Sequence, residues 1–274
     1  MTGSRRDFIK ATALAAAAAG LPGVAAASGK QAGGGKQQPQ NILILGGTGF
    51  IGPHMVREAL RRGHSVTLFN RGRTNNALFP DLETIKGDRD NGLDGLQGRR
   101  WDAVIDNSGY VPRHVQDSAR LLAPNCDRYV YISTVAVYAD IPSATDEDSP
   151  LATLADETVE EVTGETYGPL KALCEKRAAA EIDADRLAIL RPTYICGPGD
   201  RTDRFSYWPI RTRKGGEMLW PGTPDDVLQI VDVRDLARFT VDCVDRSISG
   251  TFNMVNEPHA YTMGKLLEDC QAVT

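Results

Sequence analysis

Residues 41–62 constrain the fold more than any other part of the chain. They begin with the apolar run Asn41–Leu45, continue through the turn G-G-T-G-F-I-G at residues 46–52, and end in residues 53–62, where apolar side chains recur at helical spacing. A short, continuous apolar run is typical of a parallel strand that is covered on both faces. The order of strand, glycine turn and helix therefore predicts an α/β protein with a parallel sheet.

The glycine turn also predicts a ligand. In a turn of this pattern, Gly46 permits the tight bend, Gly49 lets the backbone approach a pyrophosphate, and Gly52 lets the helix pack on the strand. The helix N-terminus adds free N–H groups and the positive end of a helix dipole. We expect the pyrophosphate of a dinucleotide to bind here, at Gly46, Gly47, Thr48, Gly49, Phe50, Ile51 and Gly52.

The residues after the second predicted strand, residues 65–69, bear on which dinucleotide is used. An enzyme that uses NAD usually has an acidic residue at this position, which binds the ribose 2′-hydroxyl. This chain has Asn70, Arg71 and Arg73 there and no carboxylate. Two guanidinium groups suit the 2′-phosphate of NADP, so NADP is favoured. If both arginines are only solvated loop charges, NAD stays the alternative.

Two further strand ends are predicted to border the cofactor, because ligands of such sheets bind outside the carboxyl ends of the strands. The run at residues 83–86 leads into Asp88 and Arg89, and the run at residues 101–105 leads into Asn107. Asp88 fits the adenine site and fits a turn-capping role equally well.

A tyrosine and a lysine four residues apart are the candidate chemical groups. The spacing places Tyr167 and Lys171 on one helix face, and Pro169 is tolerated only in a first turn, so Tyr167 should begin the helix. A neighbouring ammonium favours the phenolate, which predicts a lowered pKa and acid–base chemistry for Tyr167. Thr134, after a predicted strand at residues 128–133, offers a hydroxyl to the same substrate oxygen.

In this order the motifs resemble the extended short-chain dehydrogenase/reductase family, of the NAD-dependent epimerase/dehydratase type. The resemblance implies a Rossmann-type doubly wound parallel sheet over residues 41–192. It implies a small substrate lobe with late sheet strands over residues 193–274, and a longer lobe than these residues provide. Thr134, Tyr167 and Lys171 become the catalytic triad, and Lys171 also holds the nicotinamide ribose. The matching segments are G-G-T-G-F-I-G, Y-I-S-T-V-A-V-Y, Y-G-P-L-K and R-P-T-Y-I-C-G-P-G-D.

The substrate implied by the resemblance is a sugar or nucleotide sugar that exchanges a hydride with the cofactor. Candidate substrate contacts are Tyr194, Arg204, Arg211 and Arg234, with solvated surface arginines as the alternative. Many nucleotide-sugar epimerases have an asparagine where this chain has Tyr194, which weakens the case for a UDP-sugar. Two other functions stay open, namely a net NADP-dependent reductase or dehydrogenase of a small carbonyl or alcohol, and a non-catalytic dinucleotide-binding protein.

The N-terminus has the pattern of an export signal. Paired arginines in S-R-R-D-F-I-K at residues 4–10 precede an alanine-rich run that ends near Ala27, as in twin-arginine signals. The run is too short and weakly apolar for a stable membrane span. We expect a signal over residues 1–27, a flexible linker over residues 28–40, and export in folded form by the twin-arginine machinery to the periplasm or outside.

Composition excludes other classes of function. The formal net charge of −5 argues against a nucleic-acid partner, which would need a basic face. The five cysteines form no CxxC pair and no cluster with metal-ligand spacing, so we expect no metal and read them as buried apolar side chains. A homodimer is compatible with the sequence but not specified by it.

Overall fold

The computed structural model describes residues 38–141, 146–257 and 260–274. Nine strands lie in these ranges: β1 (Asn41–Leu45), β2 (Ser65–Asn70), β3 (Thr84–Lys86), β4 (Trp101–Asp106), β5 (Cys126–Ile132), β6 (Leu187–Pro192), β7 (Tyr194–Cys196), β8 (Ile230–Asp232) and β9 (Gly250–Met254). Seven of them form one parallel sheet in the order β3-β2-β1-β4-β5-β6-β9, and β7 pairs with β8. The predicted signal, its cleavage site and most of the linker lie outside the described residues.

Helices cover both faces of the sheet. They are α1 (Gly52–Arg61), α2 (Pro112–Leu122), α3 (Tyr167–Glu181), α4 (Tyr207–Arg213), α5 (Val233–Asp245) and α6 (Met263–Val273). Alternate residues of β1 point to opposite faces, so Ile42 packs with α1 and α5 while Leu43 packs with α2 and α3. The doubly wound α/β fold is therefore confirmed.

The sheet order fixes where a ligand crevice lies. The chain runs outward from β1 to β2 and β3, and then returns to β4 on the other side of β1. Such a reversal opens a crevice at the carboxyl ends of the two central strands. A Cβ at Gly52 would lie 2.3 Å from the carbonyl oxygen of Gly46, so only glycine lets the start of α1 pack this closely on the turn.

Residues 193–274 contribute partly to the main sheet and its helices and partly to a separate small cluster. Helix α5 packs on the main sheet and β9 pairs with β6 at its edge, which agrees with the expectation of late sheet strands. The remaining residues build a small apolar cluster around α6: Met263, Leu266 and Cys270, with Phe205, Trp208, Trp220, Leu228 and Tyr261 packed against them. Strand β8 pairs with β7 and stays outside the main sheet.

The five cysteines are all buried and unpaired, as predicted. In the described ranges, no group of three or more His, Cys, Asp or Glu side chains is arranged to hold a metal ion. Nor does the described part of the chain contain a helix with the length and apolar character needed to cross a membrane.

Candidate active site

A cavity of about 770 Å³ opens at the carboxyl ends of the central strands. It is lined by loops that follow β1, β2, β4, β5 and β6, as the strand order requires. Most of the predicted site residues line it: Gly46, Thr48, Gly49, Phe50, Ile51, Asn70, Arg71, Arg73, Asp88, Arg89, Asn107, Thr134, Tyr167, Lys171, Tyr194 and Arg204. Gly47 and Gly52 lie behind the turn, where they serve packing.

Lys171 is held at the floor of the cavity. Its side chain is buried, and Nζ donates hydrogen bonds of 2.7 Å to the carbonyl oxygens of Gly109 and Ile132. The ammonium also lies 4.3 Å from the centre of the Tyr131 ring, within cation–π distance. Burial lowers the pKa of Lys171 to about 8, because removal from water disfavours the charged form.

Tyr167 begins α3, with Pro169 in the first turn, as predicted. A Cβ at Gly168 would lie 2.1 Å from the carbonyl oxygen of Ala136, so glycine allows the helix start to approach the turn after β5. This contact brings Tyr167 to Thr134, whose Oγ1 also accepts a hydrogen bond of 3.2 Å from the Ala136 N–H.

The prediction of a lowered pKa for Tyr167 is wrong in this structure. Burial raises the pKa of Tyr167, and a hydrogen bond with Thr134 and the charge of Arg204 only partly offset that effect. The phenol is therefore protonated at neutral pH and is poised to donate a proton.

Tyr110 is a site residue that the sequence did not reveal. Its ring centre lies 6.5 Å from that of Tyr167 and 5.3 Å from Nζ of Lys171, and the residue lines the cavity. It follows β4 and so belongs to a strand end already predicted to border the ligand. That position is the signal by which it could have been found.

The nucleotide end of the cavity is made of polar loops. Arg71 and Arg73 are exposed there, and Asn70 Oδ1 accepts a 2.8 Å hydrogen bond from the Gly72 N–H. Asn107 Nδ2 donates to the Gly46 carbonyl at 3.0 Å, while its buried Oδ1 has no partner among the described residues. An unpaired acceptor beside the glycine turn is the kind of group that a bound ligand would satisfy.

Asp88 and Arg89 have structural partners. Asp88 Oδ1 accepts a hydrogen bond of 3.2 Å from the Asp90 N–H, so it caps its turn as well as lining the cavity. The Arg89 guanidinium turns inward to Asp106, with Nη2–Oδ2 at 2.7 Å, and to Ser118. Burial is the largest single effect and disfavours its charge, but the charge and hydrogen bonds of Asp106, together with Tyr129 and Tyr131, outweigh burial and raise the pKa of Arg89. These partners therefore hold the guanidinium of Arg89 in the core.

Two predicted substrate contacts are placed elsewhere. Arg211, on α4, is half-buried and donates a 2.8 Å hydrogen bond to the Gly215 carbonyl; it does not line the cavity. Arg234, in the first turn of α5, lies at the protein surface and pairs with Asp232 at 2.6 Å. Local partners thus hold both guanidinium groups away from the cavity, and the structure does not bring Arg211 or Arg234 together with the other predicted site residues.

A buried polar network supports α3, the helix that carries Tyr167 and Lys171, on the side away from the cavity. Glu175 on α3 pairs with Arg191 at the end of β6 at 2.7 Å, and both side chains are almost fully buried. Glu175 also accepts a hydrogen bond from Ser133, the residue before Thr134, and Arg191 donates to the Tyr138 hydroxyl at 3.0 Å. The network ties α3 to the ends of β5 and β6.

The model of the NAD dependent epimerase/dehydratase family matches residues 42–125 and 100–254. The chain belongs to this family. The twin-arginine signal model matches residues 4–22, which lie outside the described ranges and which carry the predicted signal. Both the family resemblance and the twin-arginine pattern are thereby confirmed.

Curated relatives are distant. The chloroplast stem-loop binding protein of 41 kDa b of Arabidopsis thaliana is 26% identical over 251 residues, covering 84% of this chain and 62% of the relative. The chain thus spans less than two thirds of that protein. Epimerase family protein SDR39U1 of Bos taurus is 28% identical over 231 residues, covering 78% of this chain and 74% of the relative.

Solved structures share the fold. The Bordetella bronchiseptica enzyme WbmG in complex with NAD has a TM-score of 0.66 at 18% identity, covering 86% of this chain and 78% of that one. MoeE5 in complex with UDP-glucose and NAD has a TM-score of 0.63 at 20% identity, covering 85% and 82%.

Proposed function

We propose that this chain is an exported, nicotinamide-dependent enzyme of the epimerase/dehydratase type that acts on a sugar-type substrate. The observation that carries the proposal is the meeting of Thr134, Tyr167 and Lys171 at one end of a cavity whose other end is the glycine turn. A non-catalytic dinucleotide-binding protein would not need an acid–base pair at this place.

The cavity fits a dinucleotide in its donors and in its shape. Backbone N–H groups at the start of α1 and the free Oδ1 of Asn107 suit the phosphates and polar groups of such a ligand. Arg71 and Arg73 favour the 2′-phosphate of NADP over NAD. The similar solved structures of WbmG and MoeE5 are complexes with NAD, so NAD is the alternative cofactor.

The nicotinamide ring, when bound, accepts a hydride from a substrate carbon or returns one. The residues of this chain handle the proton. Tyr167 donates its phenolic proton to a carbonyl oxygen as the hydride arrives, or takes the hydroxyl proton when the hydride leaves. Thr134 holds the same oxygen by a hydrogen bond, and Lys171 keeps positive charge beneath the site.

A net reductase is the second candidate, and one observation favours it. Burial raises the pKa of Tyr167, so the phenol carries its proton at neutral pH and can give it to a carbonyl oxygen. That state suits carbonyl reduction. One relative, 30% identical over 184 residues, is the 2-alkyl-3-oxoalkanoate reductase of Stenotrophomonas maltophilia. It is matched over 58% of this chain and 52% of its own length.

Purification separates the two candidates. A redox-neutral epimerase or dehydratase reoxidises its cofactor within each turnover, so the purified protein should keep a nicotinamide absorbance band through dialysis. A net reductase must exchange its cofactor and should lose the band. Retention would suit an exported enzyme, since the twin-arginine route would carry the folded protein with the cofactor inside.

Substitution of the phenol tests the site itself. General acid–base catalysis contributes roughly 10²–10⁴-fold, so turnover by Tyr167→Phe should fall by about that factor while cofactor affinity is kept. Tyr261→Phe is the matched control, because this hydroxyl binds Asp269 at 3.1 Å in the α6 cluster, away from the cavity. If Tyr167→Phe turned over at the parent rate, Tyr167 would not be the acid–base residue.

A further inference from the structure

The buried ammonium of Lys171 lies over the faces of two tyrosine rings. Its Nζ is 4.3 Å from the ring centre of Tyr131 and 5.3 Å from that of Tyr110. Two of its three N–H groups donate to the carbonyl oxygens of Gly109 and Ile132. A cation within about 6 Å of a ring centre is attracted by the negative face of the ring. Two aromatic faces thus join two carbonyl oxygens around this charge.

The carboxylates that act on Lys171 are each paired with an arginine. Burial lowers the pKa of Lys171, whereas Asp106 and Glu175 act in the opposite direction. Asp106 pairs with Arg89, and Glu175 pairs with Arg191 at 2.7 Å. A carboxylate beside a guanidinium gives less net attraction to a third group, because the two opposite charges act on that group together. The aromatic faces therefore matter more for this buried charge than they would beside an unpaired carboxylate.

The two tyrosines are held in different ways. Tyr131, on β5, is fully buried, and its hydroxyl donates a 2.8 Å hydrogen bond to the same Gly109 carbonyl that accepts from Lys171. A Cβ at Gly109 would lie 2.8 Å from the Tyr131 ring, so glycine lets the loop after β4 approach this ring. Tyr110 is the next residue in that loop, lines the cavity and is 48% exposed. Tyr131 thus belongs to the core, whereas Tyr110 can be replaced with a smaller loss of buried surface.

Both rings act on Lys171 as neutral phenols. Burial raises the pKa of Tyr131 well above its ordinary value. Partial removal from water in the cavity raises the pKa of Tyr110, and the charges of Tyr167 and Asp106 act in the same direction. Both phenols therefore keep their protons over the pH range in which Lys171, with a pKa of about 8, loses its own. Their effect on the ammonium comes from the ring faces and not from a phenolate charge.

We propose that Tyr110 is a positioning residue whose ring face, together with that of Tyr131, keeps the ammonium of Lys171 charged and in place at the floor of the cavity. The use of this charge in proton transfer rests on the proposed function, whereas the contact itself does not. Loss of the contact at 5.3 Å should lower the pKa of Lys171 from about 8 to roughly 7–7.5.

A substitution of Tyr110 leaves the other charged and titratable groups around Lys171 in place. His114, on α2, lines the same cavity. The remaining groups come from β4, β5, α3 and the loop after β3, and they are Asp106, Tyr131, Tyr167, Cys174, Glu175 and Arg89. A change in the pKa of Lys171 can therefore be assigned to the ring that was removed.

An NMR titration of protein that carries isotope-labelled lysine measures the ionisation of Lys171 directly, and Lys171→Met identifies its signal. All variants are compared in the same cofactor state. Tyr110→Leu removes the ring, so the pKa of Lys171 should fall from about 8 to roughly 7–7.5. Tyr110→Phe keeps the face and should keep the parent value. Pentafluorophenylalanine in place of Tyr110 keeps the ring but withdraws electron density from its face, so it should lower the pKa as leucine does.

Tyr207→Leu is the matched control, because Tyr207 is similarly exposed, at 43%, but does not line the cavity. This variant should leave the pKa of Lys171 unchanged. A pKa of Lys171 that stays the same or rises in Tyr110→Leu, or that falls equally in Tyr207→Leu, would overturn the proposal. A fall in Tyr110→Phe as large as that in Tyr110→Leu would also overturn it, because the ring face would then not be what holds the charge.

The titration needs no substrate, so its outcome is separate from that of the proposed function. Parent-rate turnover by Tyr167→Phe would reject the proposed chemistry and leave the expected result for Tyr110→Leu as it stands. An unchanged pKa of Lys171 in Tyr110→Leu would reject only the role of Tyr110.

Discussion

Lys171 should make the folded protein less stable near neutral pH than at alkaline pH. Its pKa is about 8 in the folded protein, whereas an exposed lysine has 10.5, which is the value expected in the unfolded chain. Between these values the unfolded chain binds more protons at this residue, so the free energy of unfolding rises with pH. The charged lysine thus opposes folding below about pH 8, and the penalty disappears above the unfolded pKa.

The size of the effect follows from the two pKa values. A difference between 10.5 and about 8 corresponds to roughly 3 kcal/mol at neutral pH. About 2 kcal/mol of this should be recovered between about pH 7 and about pH 9.5. Lys171→Met cannot titrate, so its curve of unfolding free energy against pH should lack this rise.

Urea denaturation of the two proteins across that pH range measures the difference directly. Titrating groups remote from Lys171 contribute equally to both curves and cancel when one is subtracted from the other. A difference that stays constant with pH would show that Lys171 keeps an ordinary pKa, and the physical account of its burial would be wrong. A buried lysine that lowers the free energy of unfolding is expected at an active site, where function requires a perturbed group.

Three further results are expected. Arg71→Ala should weaken NADP binding about ten-fold or more and leave NAD binding nearly unchanged in fluorescence titrations; equal losses for both cofactors would show that the guanidinium does not touch a 2′-phosphate. Glu175→Ala leaves the buried charge of Arg191 without a partner and should lower the free energy of unfolding by about 3–5 kcal/mol. The control Glu157→Ala breaks an exposed pair and should lower the free energy of unfolding by less than about 1 kcal/mol. Equal losses for the two variants in denaturant titrations would contradict the burial argument. Replacing Arg5 and Arg6 by Lys should leave the protein in the cytoplasm with an uncleaved signal in cell fractionation, and normal export would exclude the twin-arginine route.

The first αβ unit was predictable because its signals are local. The strand at residues 41–45, the turn and the helix each depend on neighbouring residues, and β1 has the predicted bounds. The start of α3 at Tyr167 was predictable for the same reason, because Pro169 permits only a first-turn position. Short β7 and the short helix α4 were not predicted. Helices α2 and α5 were not predicted either, although each has a clear apolar face that the sequence could have revealed.

The fate of individual charges depended on contacts between distant parts of the chain. The sequence does not distinguish the surroundings of Arg89 from those of Arg204. Asp106, 17 residues away, pairs with Arg89 in the core. Asp200 and Tyr194 hold the guanidinium of Arg204 beside the cavity. The pKa of Tyr167 reversed its predicted direction because burial, which the spacing to Lys171 does not reveal, outweighed its neighbours.

The sequence by itself therefore determined the family, the dinucleotide turn and the candidate catalytic groups, because those depend on residue type at short spacing. Tertiary structure decided which arginines face the ligand, how the ammonium of Lys171 is held, and that Tyr110 joins the site. Solvation and long-range pairing set these properties, and both arise only when β4, β5 and β6 bring their ends together.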